Sequence, residues 1–294
     1  MATKIKEYIK EKRDTLSPSS ITTYASILKN LYKRVFKDEE YDMKKFDSSE
    51  KTLEFLKDSP PNKRKTILSA LVIITNEKKY RELMMEDVKA YTHDISKQEK
   101  TPAQEASWLE QDTIKEKYNE LKSTADFLYK KKTMSPADLQ QIQNFIMLSV
   151  LGGMFIPPRR SLDYTLFKIK DINKEKDNYF DKNKLVFNTF KTAKTYGKQE
   201  VEIPKPLQLI IKKWIAINPT SFLLYDNNMN ALTPVKLNQR LCKILGANRS
   251  VNALRHSYLT DKYAEHSKVE KALANDMTEM GSSTGMAKSY IKLD

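Results

Sequence analysis

Apolar residues in the first part of the chain recur at helical spacing. Ile21, Tyr24, Leu28, Leu31 and Tyr32 fall on one stripe behind Ser17-Pro18-Ser19-Ser20, a serine and proline combination suited to starting a helix. Further helices are expected over 48–56, stopped by Pro60-Pro61, over 62–75 with Ile67, Leu68, Leu71, Val72 and Ile74 inward, and over 79–97. Residues 1–99 therefore read as an all-helical domain. The stretch 100–108 breaks the pattern and reads as a linker. Beyond it a long polar helix is expected to about residue 132, with Trp108, Ile114, Tyr118, Leu121 and Phe127 as its apolar contacts. Ser135-Pro136 then opens a strongly apolar helix that ends at Gly152-Gly153.

The pattern changes period only once. Strand-forming residues cluster over 178–180, 184–190 and 199–203, separated by Asp181-Lys182-Asn183 and by the segment 192–198. This predicts a three-stranded antiparallel sheet whose last turn carries Lys191, Lys194 and Lys198 with Gly197. Before the sheet, Pro157-Pro158 forces a turn and puts Arg160 at the start of a short helix. Asp163, three residues on, is expected to hold that arginine in place. After the sheet, helices are expected over 206–217 and 233–245, then one containing Arg255, one over 268–280 and a last short one ending at Tyr290. The expected fold class is mainly α with a small antiparallel β-sheet, in a helical domain 1–99, a linker 100–108 and a second domain 109–294.

Charge narrows the partners. Fifty-two Lys and Arg against 38 Asp and Glu leave a net charge of +14, the balance of a chain that meets a polyanion. Lys63, Arg64 and Lys65 cluster at a helix start where a DNA backbone would lie. Over 191–255 basic residues, including Lys198, Lys243 and Arg249, far outnumber the acids Glu200, Glu202 and Asp226. These are the expected DNA-binding residues. The acidic stretch 101–120 is expected to face away from the polyanion. No apolar run is long enough to cross a membrane and the first thirty residues are too charged for a signal peptide, so the expected location is intracellular, on DNA. The single cysteine, Cys242, excludes an internal disulfide, and three scattered histidines do not suggest a metal centre.

The chemistry gathers around Asn252-Ala253-Leu254-Arg255-His256-Ser257-Tyr258. Leu254 and Tyr258, four apart, share the buried face of a helix and turn Arg255 and His256 elsewhere. A guanidinium fork matches two phosphate oxygens, and an imidazole gives or takes a proton near neutral pH. With Arg160, a lysine-bearing hairpin and Tyr290, these residues form the set that metal-free phosphoryl transfer needs: cations on the non-bridging oxygens, an acid for the leaving oxygen and a nucleophile.

In this order the motifs resemble the tyrosine recombinases, the phage-integrase family, whose catalytic fold is shared with type IB topoisomerases. The resemblance is carried by Pro158-Arg159-Arg160-Ser161-Leu162-Asp163, Phe190-Lys191-Thr192, Asn252 to Tyr258, and Met280-Gly281-Ser282-Ser283 leading to Tyr290. It spans about residues 104–294, with a weaker likeness of the helical N-terminal part to the family's core-binding domain. It implies a two-domain DNA clamp that breaks and rejoins DNA without a cofactor, a monomer in solution that assembles into a tetramer on double-stranded DNA. By the same resemblance Arg160 and Arg255 clamp the phosphate, and Lys191, or alternatively Lys194, protonates the leaving 5′ oxygen. His256 assists at the same phosphate, and Tyr290 attacks to give a 3′-phosphotyrosyl link. Two positions depart from the family: Asn252 stands where a His or Lys is usual, and Ser282 where a His or Trp is usual. Asn252 is either a hydrogen-bond donor there or a helix cap. The function classes left open are a site-specific recombinase or integrase, a topoisomerase-like nicking-closing enzyme, and a non-catalytic DNA-binding protein on a decayed recombinase fold. Richness in lysine and asparagine hints at a virus or mobile element as the source.

Overall fold

The structure, a computed structural model, describes residues 2–37 and 40–292. The chain divides into two compact units, Met1–Lys100 and Thr101–Asp294. It is mainly helical, with one small three-stranded antiparallel sheet.

The first unit holds α1 (Ala2–Lys12), α2 (Pro18–Val35), α3 (Ser49–Leu56), α4 (Pro61–Ile74) and α5 (Lys78–Ser96). Ser17 caps α2 through a hydrogen bond from the Ser20 amide, and the stripe expected from the sequence turns Leu28, Leu31 and Tyr32 into the core. Helix α1 is an addition to the expected set. Its Ile5 and Ile9, one turn apart, are fully buried against α2 and α4. Tyr32, Phe36, Tyr41 and Phe46 form an aromatic cluster beside them. Helices α4 and α5 are tied by Arg64, whose Nε and Nη2 donate to the two oxygens of Asp87 at 2.9 and 2.8 Å. The Asp87 side chain is almost fully buried, so this pair is part of the core of the unit.

The second unit begins with α6 (Pro102–Ala106). The stretch expected as an irregular linker thus contains a short helix, because Thr101 and Gln104 form a reciprocal capping box that the sequence reading overlooked. Then follow α7 (Gln111–Leu128) and α8 (Pro136–Leu151), the latter started by a second capping box between Ser135 and Asp138. Helix α8 is the spine of this unit, with every residue from Phe145 to Leu151 buried. After α9 (Ser161–Thr165) come β1 (Tyr179–Asp181), β2 (Lys184–Phe187), the four-residue α10 (Ala193–Tyr196) and β3 (Gln199–Glu202). β2 is central and pairs antiparallel with both neighbours, Tyr179 facing Val186 and Gln199 facing Phe187. Helix α11 (Lys205–Ile217) packs on α8. Its buried Trp214 donates through Nε1 to the Leu223 carbonyl at 2.8 Å and stacks on Tyr225. The chain closes with α12 (Pro234–Leu245), α13 (Val251–Glu279) and α14 (Ala287–Tyr290).

Two expectations change here. Strand β2 ends at Phe187 and not at residue 190, because the Asn188 and Thr189 amides turn to donate to the buried Asn178 side chain at 2.9 and 2.8 Å. The helices expected around Arg255 and over 268–280 are one continuous helix of 29 residues. No Gly or Pro interrupts it, and Lys268 with Glu265 and His266 with Glu270 add pairs along its exposed side. At about 1.5 Å per residue, Arg255 and Met277 on this helix are about 33 Å apart.

The start of α13 is seated on Gly152-Gly153. Gly153 has φ +88, and a β-carbon there would lie 2.7 Å from Cδ2 of Tyr258. The Gln111 side-chain amide holds Ser257 Oγ at 3.0 Å on the adjoining turn. Gly153→Ala should therefore destabilise the protein by about 1–3 kcal/mol. Gly281→Ala, also at positive φ but with open space around it, should cost less. Urea midpoints of the two variants measure the difference, and equal losses would remove the contact with Tyr258 from the account.

Candidate phosphate-binding site

The approach to the site is built by α9 and the residues ahead of it. Pro157 and Pro158 keep the chain extended up to Arg160, which stands at the N-cap of α9 with ψ 152°. Asp163, in the first turn of α9, is 2 % exposed. Its Oδ2 accepts from Nε of Arg159 at 2.9 Å, so the arginine that Asp163 holds is Arg159 and not Arg160. Both arginines precede the helical residues, so the spacing rule for two residues inside a helix does not choose between them; Arg159 is the one that contacts outside α9 also hold. Arg159 is held three more ways. Its Nη1 donates to Gln199 Oε1 on β3 at 2.8 Å, and its guanidinium lies 3.9 Å from the Phe187 ring centre and 5.1 Å from that of Phe190. Asn178 completes the brace by donating to the Asp163 carbonyl at 2.9 Å and to the Thr189 carbonyl at 2.7 Å.

This frame leaves the Arg160 guanidinium with no hydrogen-bond or ion-pair partner among the described residues, and the guanidinium of Arg255, on the second turn of α13, is in the same condition. Both line one cavity of about 330 Å³, together with Pro158, Arg159, Asp163, Phe190, Thr192, Tyr196, Gln199 and no other described residue. The second carboxylate oxygen of Asp163, Oδ1, is buried without a hydrogen-bond partner. Burial pushes the Asp163 carboxyl above its usual pKa, against the pull of Arg159, Arg160 and Arg255. Two guanidiniums without side-chain partners and a braced third one line the same half-enclosed space, which suits an anion with several acceptor oxygens.

The other residues expected at the site fall into three groups. Lys191 and Lys194 are exposed and are not among the lining residues, but they neighbour them on the chain: Phe190 and Thr192 on either side of Lys191 line the cavity, and Lys194 lies between Thr192 and Tyr196. His256 and Asn252 are exposed on the first turns of α13, beside Arg255 in sequence, and are not among the lining residues. The cap of α13 is Ser250, whose side chain accepts from the Ala253 amide, so Asn252 is not that cap. Ser282 and Tyr290 lie at the opposite end of α13. There Gly281, at φ +67, ends the helix, with the Ser282 amide donating to the Met277 carbonyl at 2.8 Å and the Gly281 amide to that of Thr278 at 3.0 Å. Met277 and Ala287 are buried in this tail, while Tyr290 is 60 % exposed. The structure therefore brings Arg160, Asp163 and Arg255 together and leaves the tyrosine apart from them.

Among the expected DNA contacts, Arg64 is committed to Asp87 and to the Lys57 carbonyl, and the Lys65 ammonium lies over the Tyr91 ring. Lys198 pairs with Glu200 at 2.8 Å, and Arg249 donates to the Ala106 carbonyl at 3.1 Å, closing the end of α6. Lys63 and Lys243 are exposed to solvent. Sequence reasoning missed Arg159, Gln199, Asn178 and Tyr196 as parts of the site. The Arg159-Arg160 doublet was the one visible signal, and it did not say which arginine is the brace.

Among the described residues no helix is long and apolar enough to cross a membrane. No protein-family model matches the chain, and a search of curated proteins finds no relative.

Proposed function

We propose that this chain is a DNA strand transferase of the tyrosine-recombinase type, a site-specific recombinase or integrase acting on double-stranded DNA. The observation that carries this reading is the pair of guanidiniums without side-chain partners, Arg160 and Arg255, brought from separate elements to one cavity, with Lys191 and Lys194 on the chain segment that supplies its lining residues Phe190, Thr192 and Tyr196. In this reading the cavity takes the scissile phosphate, with one arginine on each side of its non-bridging oxygens. The Tyr290 oxygen attacks phosphorus, the bond to the 5′ oxygen breaks, and Lys191 or Lys194 delivers the proton that oxygen needs. The bond energy is kept in the 3′-phosphotyrosyl link, so the strand is rejoined by the reverse step. Both units contribute backbone contacts, and several copies assemble on the DNA.

A second reading is a DNA-binding protein on a decayed recombinase fold. It is favoured by one placement: Tyr290 and Ser282 sit at the far end of α13 from Arg255. Cleavage in cis then requires the segment after Arg255 to bend, and cleavage in trans requires a second copy. The deciding experiment is covalent capture of the wild-type chain on nicked suicide substrates, with relaxation of a supercoiled plasmid run beside it. An adduct without relaxation supports a recombinase, an adduct with relaxation a nicking-closing enzyme. DNA binding without an adduct on any substrate would leave the decayed fold.

A further inference from the structure

We infer that Tyr196 is a phosphate-contacting residue of this site, supplying an uncharged hydroxyl donor beside the two arginines. The inference rests on the reading of the cavity as the place of a DNA phosphodiester. Tyr196 ends the short helix α10 and lines the cavity together with Thr192, Arg160 and Arg255. It is 66 % exposed, and among the described residues no hydrogen bond, ring contact or ion pair engages its side chain, while its amide donates to the Thr192 carbonyl at 3.1 Å. Gly197 follows at φ +66, with open space where a β-carbon would be. No side-chain contact engages the ring or its hydroxyl, yet the residue lines a cavity that carries two guanidiniums without side-chain partners. A phosphodiester has more acceptor lone pairs than two guanidiniums fill, and a phenol is a donor that reaches it without adding charge.

The absence of charge gives the contact a signature. Each lysine or arginine on a phosphate releases counterions and steepens the salt dependence of binding by about 0.9 in the log–log slope, whereas a neutral donor releases none. Binding of a labelled mixed-sequence duplex is measured across a salt series for wild type, Tyr196→Phe, Lys194→Ala, Arg255→Ala and the Tyr196→Phe, Arg255→Ala double variant. Tyr196→Phe should weaken binding about tenfold or more at every salt concentration, the scale of a hydrogen bond to a charged group, and leave the slope unchanged. Lys194→Ala serves as the charged comparison, with a slope shallower by about 0.9 if it meets a phosphate. In the Arg255→Ala background the further loss from Tyr196→Phe should fall below about threefold, because two residues on one phosphate are coupled.

If wild type binds and Tyr196→Phe binds equally well, the inference fails and the reading of the cavity stands. If the two losses multiply in full, Tyr196 meets DNA outside this cavity and the inference also fails. If wild type does not bind duplex even at low salt, the reading of the cavity falls and takes the inference with it.

Discussion

Tyr290→Phe is expected to bind DNA as wild type does and to form no covalent complex. A phenol with a pKa near 10 is a poor nucleophile at neutral pH unless its proton leaves as it attacks, and phenylalanine has no oxygen to form the bond at all. The side chain is exposed at the end of α14 and supports no core contact, so the loss should appear in chemistry and not in stability. The same variant reports how the tyrosine reaches the cavity. Mixing Tyr290→Phe with Arg255→Ala restores capture if one copy supplies the tyrosine to another copy's arginines, and restores nothing if each copy must supply its own. Capture that persists in Tyr290→Phe, or that maps to Tyr258 or Tyr196, would overturn the assignment.

The arginines should show the second large effect. Arg160→Ala or Arg255→Ala is expected to slow covalent capture by about a hundredfold or more, because each removes a preorganised donor aimed at developing charge, worth about 3 kcal/mol. Arg160→Lys and Arg255→Lys should recover little of this, since an ammonium cannot reproduce a two-pronged contact. Arg159→Ala is expected to differ in kind. Its guanidinium is spent on Asp163, Gln199 and Phe187, so its loss leaves a buried carboxylate unpaired and should lower the unfolding midpoint as well as the rate. Rate loss without destabilisation in Arg159→Ala would mean that it, and not Arg160, is the arginine on the phosphate.

Much of the architecture was legible in the residues, for reasons that are local. Ser17 and Ser135 mark helix starts because their hydroxyls meet amides three residues on, and Leu28, Leu31 and Tyr32 meet on one face because a helix repeats every 3.6 residues. The three strands and their order follow from runs of β-formers, although the connection from β2 to β3, expected as a turn, contains α10. The positions of Arg160 and Arg255 at helix starts were readable in the same way, from a double proline and from the spacing of Leu254 and Tyr258.

What the residues by themselves determined about this protein is most of its helices and its three strands, its excess of positive charge, and the candidates for phosphate chemistry. Partnership was decided only in three dimensions. That Asp163 takes Arg159, that Arg64 is consumed by Asp87, and that Gln199 and Asn178 brace the site all depend on which elements pack together, and sequence spacing carries no record of that. The same holds for α13. Its residues favour a helix throughout, but only the packing of its first turns on Gly153 and Gln111, with its distal part exposed, sets Tyr290 at the far end from Arg255. Local preferences choose elements because they act between neighbours in the chain. A site made of α9, α10, β3 and α13 is chosen by long-range burial, which couples residues that the chain keeps far apart.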